Sequence, residues 1–238
     1  MKIMNKIVIS NDDDIFDYFV TEDTYIRIDL KDESKIINID VMEHQNLKVF
    51  ETCTATSNKV TYNIHSGAQL IVNKIAIDNS DSITVNLIGY GASVTYNSSI
   101  INYCDNVYVQ NIIHKSDNTK SRVVNHGINV NDRSLHIIVN GDINKECKEC
   151  SSNQDNKIIN MKNGKSFISP NLIVDNNLVD AFHSAYIGSF DEESVFYLKS
   201  RGLTEKVCNE LLIKGFMLGT MELDENELEV FLKQIENI

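Results

Sequence analysis

The sequence predicts an all-β body followed by a helical C-terminal segment. Within the all-β class it points towards a solenoid. Three observations carry this. Short β-branched runs with a period of two recur every 10–12 residues from Ile26 to Gly141. Asn-Gly and Asp-Gly hairpin turns are scarce between them, Asn163-Gly164 being the clearest, while Asn and Asp stand at scattered corners. From Ser189 onward the period changes to that of a helix.

The spacing of the runs suits a sandwich, a barrel or a β-solenoid, and no exact repeat stands out. YIRIDL presents Ile26, Ile28 and Leu30 to one face, and IINIDV presents Ile37, Ile39 and Val41. VTYNI does the same with Val60, Tyr62 and Ile64, and SITVNLI with Ile83, Val85 and Leu87. VYVQNII from Val107 and LHIIVNG from Leu135 continue the alternation. Corners rich in Asn and Asp favour the solenoid, because a chain that turns onto a neighbouring sheet without reversing needs corners and not hairpins.

Three helices are expected in the tail. Ser189 or Asp191 can cap the first, whose opening turn carries Glu192 and Glu193 at the positive end of the dipole and which stops at Arg201-Gly202. Thr204 caps a second, expected to bury Val207, Leu211, Leu212 and Phe216. Asp224-x-x-Glu227 has capping-box spacing and opens a third, with Leu228, Phe231, Leu232 and Ile235 on one stripe. Residues 1–188 are thus expected to form the β core and 189–238 the helical segment.

Composition narrows the function. A net charge of −12 weighs against nucleic acid, whose phosphates need a basic face. No apolar run is long enough to span a membrane, and the start has no apolar core of signal-peptide length. Five widely spaced cysteines do not suggest a disulfide framework, so a cytoplasmic location is expected. There is no phosphate-binding Gly-x-x-x-x-Gly-Lys-Ser/Thr motif, so any ATP chemistry belongs to a partner. No Ser-His-Asp set or carboxylate pair can be defended from spacing, and no enzyme is expected.

The candidate ligands are few. Cys147-Lys148-Glu149-Cys150 has chelating spacing but no second pair, and an exposed lysine-rich turn is the expectation. Cys53, Cys104 and Cys208 read as core, turn and packing residues, and Asp12-Asp13-Asp14 as a solvated loop lacking the rest of a calcium motif. His114 and His126 fall in a segment of turns.

The stretch from His183 resembles the SufB/SufD family of iron–sulfur cluster assembly proteins. The matching residues are His183, Gly188, Asp191-Glu192-Glu193, Phe196-Tyr197 and Ser200-Arg201-Gly202, followed by a helix ending in Gly215-Phe216. Upstream, His114, Asn118, Thr119, Ser121, Gly127 and Ile128 match a second segment. Gln154 with Asn156-Lys157, and Pro170 with Leu172 ahead of Asp175-Asn176, match further on. The resemblance covers about residues 60–238 and is most specific in the last 60.

The resemblance implies a right-handed parallel β-helix, a single-stranded solenoid, with a C-terminal helical segment. It implies two partners: a SufC-type ABC ATPase gripping that segment, and a SufB-type or identical β-helix pairing through the core. Asp191, Glu193, Phe196, Tyr197, Arg201, Gly202 and Phe216 become docking residues, and His183 a contact for iron or a nascent cluster. No cofactor is expected to be held stably, although a transient cluster in the complex fits. Family members usually carry a further N-terminal helical region without counterpart in these 238 residues. SufB scaffolds carry a cysteine where this sequence has Gly164, and a glutamate where it has Ser184. Both departures point to SufD. A homodimeric scaffold of a minimal system is the alternative, and a carbohydrate-binding β-helix, disfavoured by the absence of Trp, is a distant third.

Overall fold

A computed structural model describes residues 4–11, 15–175 and 177–235, so the Asp12-Asp13-Asp14 loop and Asn176 lie outside the described residues. The described residues wind through fifteen strands. Eight, paired in parallel in sequence order, form one sheet: β1 (Asn5–Ile9), β3 (Thr24–Lys31), β5 (Asn46–Thr54), β7 (Gln69–Ile77), β9 (Ser93–Asn102), β11 (Lys120–Asn129), β13 (Ser151–Asn160) and β15 (Asp180–Gly188). The other seven form the facing sheet: β2 (Ile15–Val20), β4 (Ile36–Val41), β6 (Lys59–Ile64), β8 (Ser82–Leu87), β10 (Asn106–His114), β12 (Ser134–Ile143) and β14 (Lys165–Val174). Each coil therefore supplies one strand to each sheet, as a parallel β-helix requires.

A repeat is present after all. Ile37, Ile39 and Val41 stack on Val60, Tyr62 and Ile64, which stack on Ile83, Val85 and Leu87. Stacked partners in these coils lie 23 residues apart, and the distance grows to 31 between β11 and β13. Successive strands are half-coils, 10–13 residues apart from β3 to β8, while the alternating runs lie a whole coil apart from Ile37 onward, and the later insertions hide the period.

Alternation fills the lumen with these side chains, together with Ile26, Leu47, Val49, Leu70, Tyr96 and Leu135, all buried. On the outer face of the second sheet, amides stack from coil to coil: Asn38 on Asp17 at 2.8 Å, Asn86 on Asn63 at 2.9 Å, and Asn171 on Asn140 on Asn111 at 2.8 Å each. Such ladders let identical polar side chains satisfy one another.

The corners are columns of left-handed residues. His44, Gly67, Gly91, Asn118 and Glu149 have φ between 56° and 69°. The N–H of each donates to the corner of the next coil, from His44 to the Ser66 carbonyl at 2.9 Å through to Glu149 to the Leu178 carbonyl at 2.8 Å. Asp32, Ala55 and Asp78 form a second column. Asn and Asp tolerate this region, and glycine enters it at no steric cost.

Three helices follow: α1 (Glu192–Ser200), α2 (Glu205–Leu218) and α3 (Glu225–Ile235). Their caps follow local chemistry. Asp191 accepts from the Glu193 and Ser194 N–H groups, Thr204 from Val207, and Asp224 and Glu227 form a reciprocal capping box at 2.9 Å each way. Gly202 ends the first helix at φ 86°.

α2 and α3 run back along the outer face of the eight-stranded sheet. Ile213, Met217, Phe231 and Ile235 bury themselves against Phe50, Ile75, Ile101, Ile128 and Ile159, forming a second core. Polar pins join the layers. Ser99 donates to the Met217 carbonyl at 2.8 Å, Asn73 to the Glu222 carbonyl at 3.1 Å, and Lys48 pairs with Glu227 at 2.8 Å.

This arrangement corrects the expected faces of the helices. α2 buries Cys208, Ile213 and Met217, leaves Leu212 and Phe216 half-buried, and exposes Val207 and Leu211. α3 buries Phe231 and Ile235 as expected but leaves Leu228 exposed. The row of sheet isoleucines, and not the leucines of the helix, selects the buried stripe.

The second core sets the first prediction. Phe231→Ala empties a fully buried site between α3 and the sheet and should cost about 3–5 kcal/mol in urea unfolding. Phe196→Ala, at an exposed position of α1, should stay within about 0.5 kcal/mol of the parent.

Candidate functional site: the last coil and the helix beyond it

β14 and β15 are the terminal strands of their sheets, so the last coil has a neighbour on one side only. No residue of β14 or β15 is buried. Phe167, Ile173, Leu178, Phe182 and Tyr186 are exposed large apolar side chains on this coil. Pro170 sits in β14, an edge strand where its missing N–H is tolerated. An open, partly apolar edge is a template for another strand.

His183 lies on β15 in register with Gln154, whose side chain is buried in the lumen. Both therefore share the inward face, and His183 stands exposed where no further coil covers it. Beneath it the lumen is polar. Asn125 donates to Gln110 and to Asn156 at 2.7 Å each, and Gln154 donates to the Asn171 carbonyl at 3.3 Å. His114 is bonded to the Thr119 hydroxyl at 2.8 Å and the Ser121 hydroxyl at 2.9 Å, and Ser121 continues to Ser152 at 3.1 Å. The family-like segment from His114 to Ser121 is thus a buried hydrogen-bonded corner.

The expected docking residues fall into two groups. Asp191, Glu193, Phe196, Tyr197, Arg201 and Gly202 surround α1, which buries no residue. Phe196 is 74% and Tyr197 56% exposed. The Arg201 guanidinium lies over the Tyr197 ring at 5.1 Å and donates to its hydroxyl at 3.2 Å, which stiffens the end of the helix. Backbone N–H groups at the helix start hold the Asp191 carboxyl below its usual range. A groove of about 400 Å³ between α1 and α2 is lined by Asp191, Glu193, Ser194, Tyr197, Leu198 and Leu212. Phe216 belongs elsewhere. It stacks on the His126 ring at 4.2 Å, meets Phe190 edge-on, and its carbonyl is 2.6 Å from His126 Nδ1, so it anchors α2 to the sheet.

Among the described residues, one group of side chains could hold a metal ion. Glu51, Cys53 and Asp81 face the lumen with ligand atoms within 4.8 Å of one another. The buried Lys74 ammonium already bonds both carboxylates, at 2.6 Å to Asp81, and supplies the positive charge there. Sequence reasoning missed this group because Glu51 and Cys53 belong to one coil and Lys74 and Asp81 to the next. The 23-residue spacing of Glu51 and Lys74 was the available signal.

Residues 80–216 match the family model described as the SUF system FeS cluster assembly, SufBD core domain. The chain belongs to this family. The match spans the polar coils, the open edge, α1 and nearly all of α2. Among its relatives is the iron–sulfur cluster assembly protein SufD of Bacillus subtilis (strain 168), 23% identical over 215 residues, covering 80% of this chain and 49% of that protein. Iron–sulfur cluster assembly SufBD family proteins of Staphylococcus haemolyticus and Staphylococcus aureus (strain USA300) are 30% identical over 110 residues, covering 44% of this chain and 23% of theirs. The chain thus spans about half the length of the Bacillus relative and under a quarter of the staphylococcal ones.

The buried corner gives a pH prediction. Burial pushes the His114 imidazole down to about 4, whereas an unfolded histidine titrates near 6.5. The unfolded chain therefore takes up the proton first as the pH falls. Stability that is complete above ~6.5 is lost progressively down to ~4, by up to about 3 kcal/mol from this residue. Urea unfolding from pH 7.5 to 4.5 should show this loss, and His114→Gln should reduce its slope.

Proposed function

We propose that this SufBD-family protein is a SufD-like, non-catalytic subunit of a cytoplasmic iron–sulfur cluster assembly complex. It works with a SufC-type ABC ATPase and a SufB-type β-helix scaffold, and any cluster it touches is cargo held transiently in the complex. The observation that carries the reading is α1, a helix without a buried residue that shows Phe196 and Tyr197 to solvent beside a groove, within the helical segment the family resemblance assigns to the ATPase.

Two positions favour the SufD-like role over a scaffold. A Cβ at Gly164 would lie 2.4 Å from the Asn129 amide nitrogen and 2.7 Å from the Asn131 carbonyl, so this turn has no room for the scaffold cysteine. Ser184 is committed to Asp155 at 2.7 Å. His183 remains as the ligand-capable side chain at the rim, where imidazole suits iron.

The open edge of β14 and β15 suits a second β-helix, which would bring its own ligands opposite His183. ATPase movement on α1 and α2 would load the bonds from Ser99 and His126 to the end of α2, and through them the sheet that ends in β15. An identical partner at the same edge is the alternative, and the mass of the complex distinguishes the two.

Co-expression with SufC-type and SufB-type proteins tests the reading. The wild-type chain should co-purify with both, while Phe196→Asp with Tyr197→Asp should lose the ATPase more than about tenfold, as removal of interface anchors does, at unchanged thermal unfolding. Wild-type yields from the double variant would place the docking surface elsewhere. His183→Ala should retain the complex and slow cluster transfer to an apo-acceptor. Full transfer would reduce this histidine to an exposed strand residue.

A further inference from the structure

Cys147 and Cys150 take no part in the proposed docking surface, and their surroundings differ from those of an exposed turn. The turn joins β12 to β13. Lys148 and Glu149 at its tip are exposed, but the two cysteines are 4% and 2% exposed. Its backbone is fixed from both sides. Lys148 N–H donates to Asp117 and its carbonyl accepts from Asn118, each at 2.8 Å, on the coil below. Glu149 N–H donates to Leu178 at 2.8 Å and the Cys150 carbonyl accepts from Asp180 at 2.9 Å, on the coil above. Glu149 supplies the left-handed corner at φ 59°. Inside this frame the two side chains lie in one buried cluster with Ile143, and Val174 and Val179 pack against it.

We propose that Cys147 and Cys150 form a dithiol that closes reversibly to an intrachain disulfide. The polar atoms around the sulfurs choose this over a metal dithiolate. Cys147 Sγ points to the His114 carbonyl at 3.7 Å, and Cys150 Sγ to the Ser116 and Lys148 carbonyls at 3.4 and 3.5 Å and to the Thr119 hydroxyl at 3.2 Å, whose proton goes to the Ser116 carbonyl. Carbonyl oxygens stabilise S–H and oppose the two anions that a metal needs. Burial, the neighbouring Cys150 and Asp117 push the Cys147 thiol up in agreement.

A disulfide is neutral and strands no acceptor. The His114, Ser116 and Lys148 carbonyls keep Asn144 N–H, the Thr119 hydroxyl and Asn118 N–H as donors.

The oxidant is a low-molecular-weight disulfide. The oxidant enters when the open last coil parts from the turn and uncovers the pair; one protein thiolate, formed at alkaline pH, then attacks it, forming a mixed disulfide and expelling one small thiol. The second protein thiolate then displaces the other. One S–S bond forms in the protein, one breaks in the oxidant, and the two small thiols carry off two electrons and two protons. The new bond sits directly beneath Val174 and Val179, so the open last coil is the part of the molecule that registers it. This inference is independent of the identity of the ATPase and scaffold partners.

The whole chain, reduced and then exposed to glutathione disulfide at pH 8.5, provides the test. Cys104, exposed in the turn between β9 and β10, is the internal control and should take up glutathione. After acid quenching, alkylation and trypsin, cleavage at Lys148 leaves the Cys147 and Cys150 peptides joined only by the disulfide. The expected product is that joined pair, without glutathione, reverting to two alkylatable thiols with dithiothreitol. In Cys147→Ser, Cys150 should instead carry glutathione. Amide exchange over residues 174–187 should slow severalfold in the oxidised wild-type chain. Two free thiols after Cys104 has fully reacted, or separate glutathione adducts on Cys147 and Cys150, would overturn the disulfide. Unchanged exchange would overturn its reach to the last coil.

Discussion

The structure depends on coil-to-coil registry, and the corner columns enforce it. At eight corners among the described residues the chain leaves one sheet and enters the next, without reversing, through a residue in the left-handed region. The N–H of that residue donates to the corner of the next coil, so one hydrogen bond fixes both the turn and the stacking distance. Once corners are stacked, every strand residue lies over its counterpart. Buried rows of isoleucine and valine, and outer rows of asparagine, then follow from alternation alone. Variation in coil length is absorbed between the corners.

The lumen is not uniform, and its chemistry changes along the axis. Early coils are filled with Ile, Val and Leu, whereas the coils beneath the open edge hold His114, Gln110, Asn125, Gln154 and Asn156. Each of these makes at least one hydrogen bond inside the coil stack, while Asn125 Oδ1 and Gln154 Oε1 stay buried without a partner. Between the two regimes sits the Glu51–Lys74–Asp81 triad. Breaking such a buried group by removing one member costs about 3–5 kcal/mol, although the intact group adds little net stability. Its presence therefore fixes which residues face one another and is weak evidence of strength. The interior beneath His183 is polar and ordered, a different setting from an apolar cap.

What was legible in the sequence follows the range of the interactions. The caps at Asp191 and Thr204, the box from Asp224 to Glu227 and the stop at Gly202 act within four residues, and each was visible. Six strands, β3, β4, β6, β8, β10 and β12, were visible because alternation is local; β5, β7, β9 and β11 were not, because residues on both of their faces are buried and the alternation is lost. The buried face of α2 was not, because Ile101, Ile128 and Ile159, from 54 to 116 residues upstream, choose Ile213 and Met217 over Leu211. The 23-residue repeat was present between Ile37 and Leu87 but was lost to the eye as coils lengthened to 31. The motif from His183 to Gly202 pointed to the family because its spacing is dense. It could not show that Phe216 faces His126 while Phe196 faces solvent.

A solenoid is ordinarily a one-dimensional object, in which each repeat feels only its neighbours and stability approximates a sum of nearest-neighbour terms. The ion pair between Lys48 and Glu227 links residues 179 positions apart, and α3 lays its apolar stripe across the outer face of early coils. The chain is thereby closed back on itself. A coil near the start cannot fray without releasing the end of the protein, and the tail cannot lift without uncovering sheet isoleucines on several coils at once. Melting should accordingly approach a single all-or-none event instead of unzipping from one end. The cost is a folding reaction whose last step joins the most distant parts of the chain.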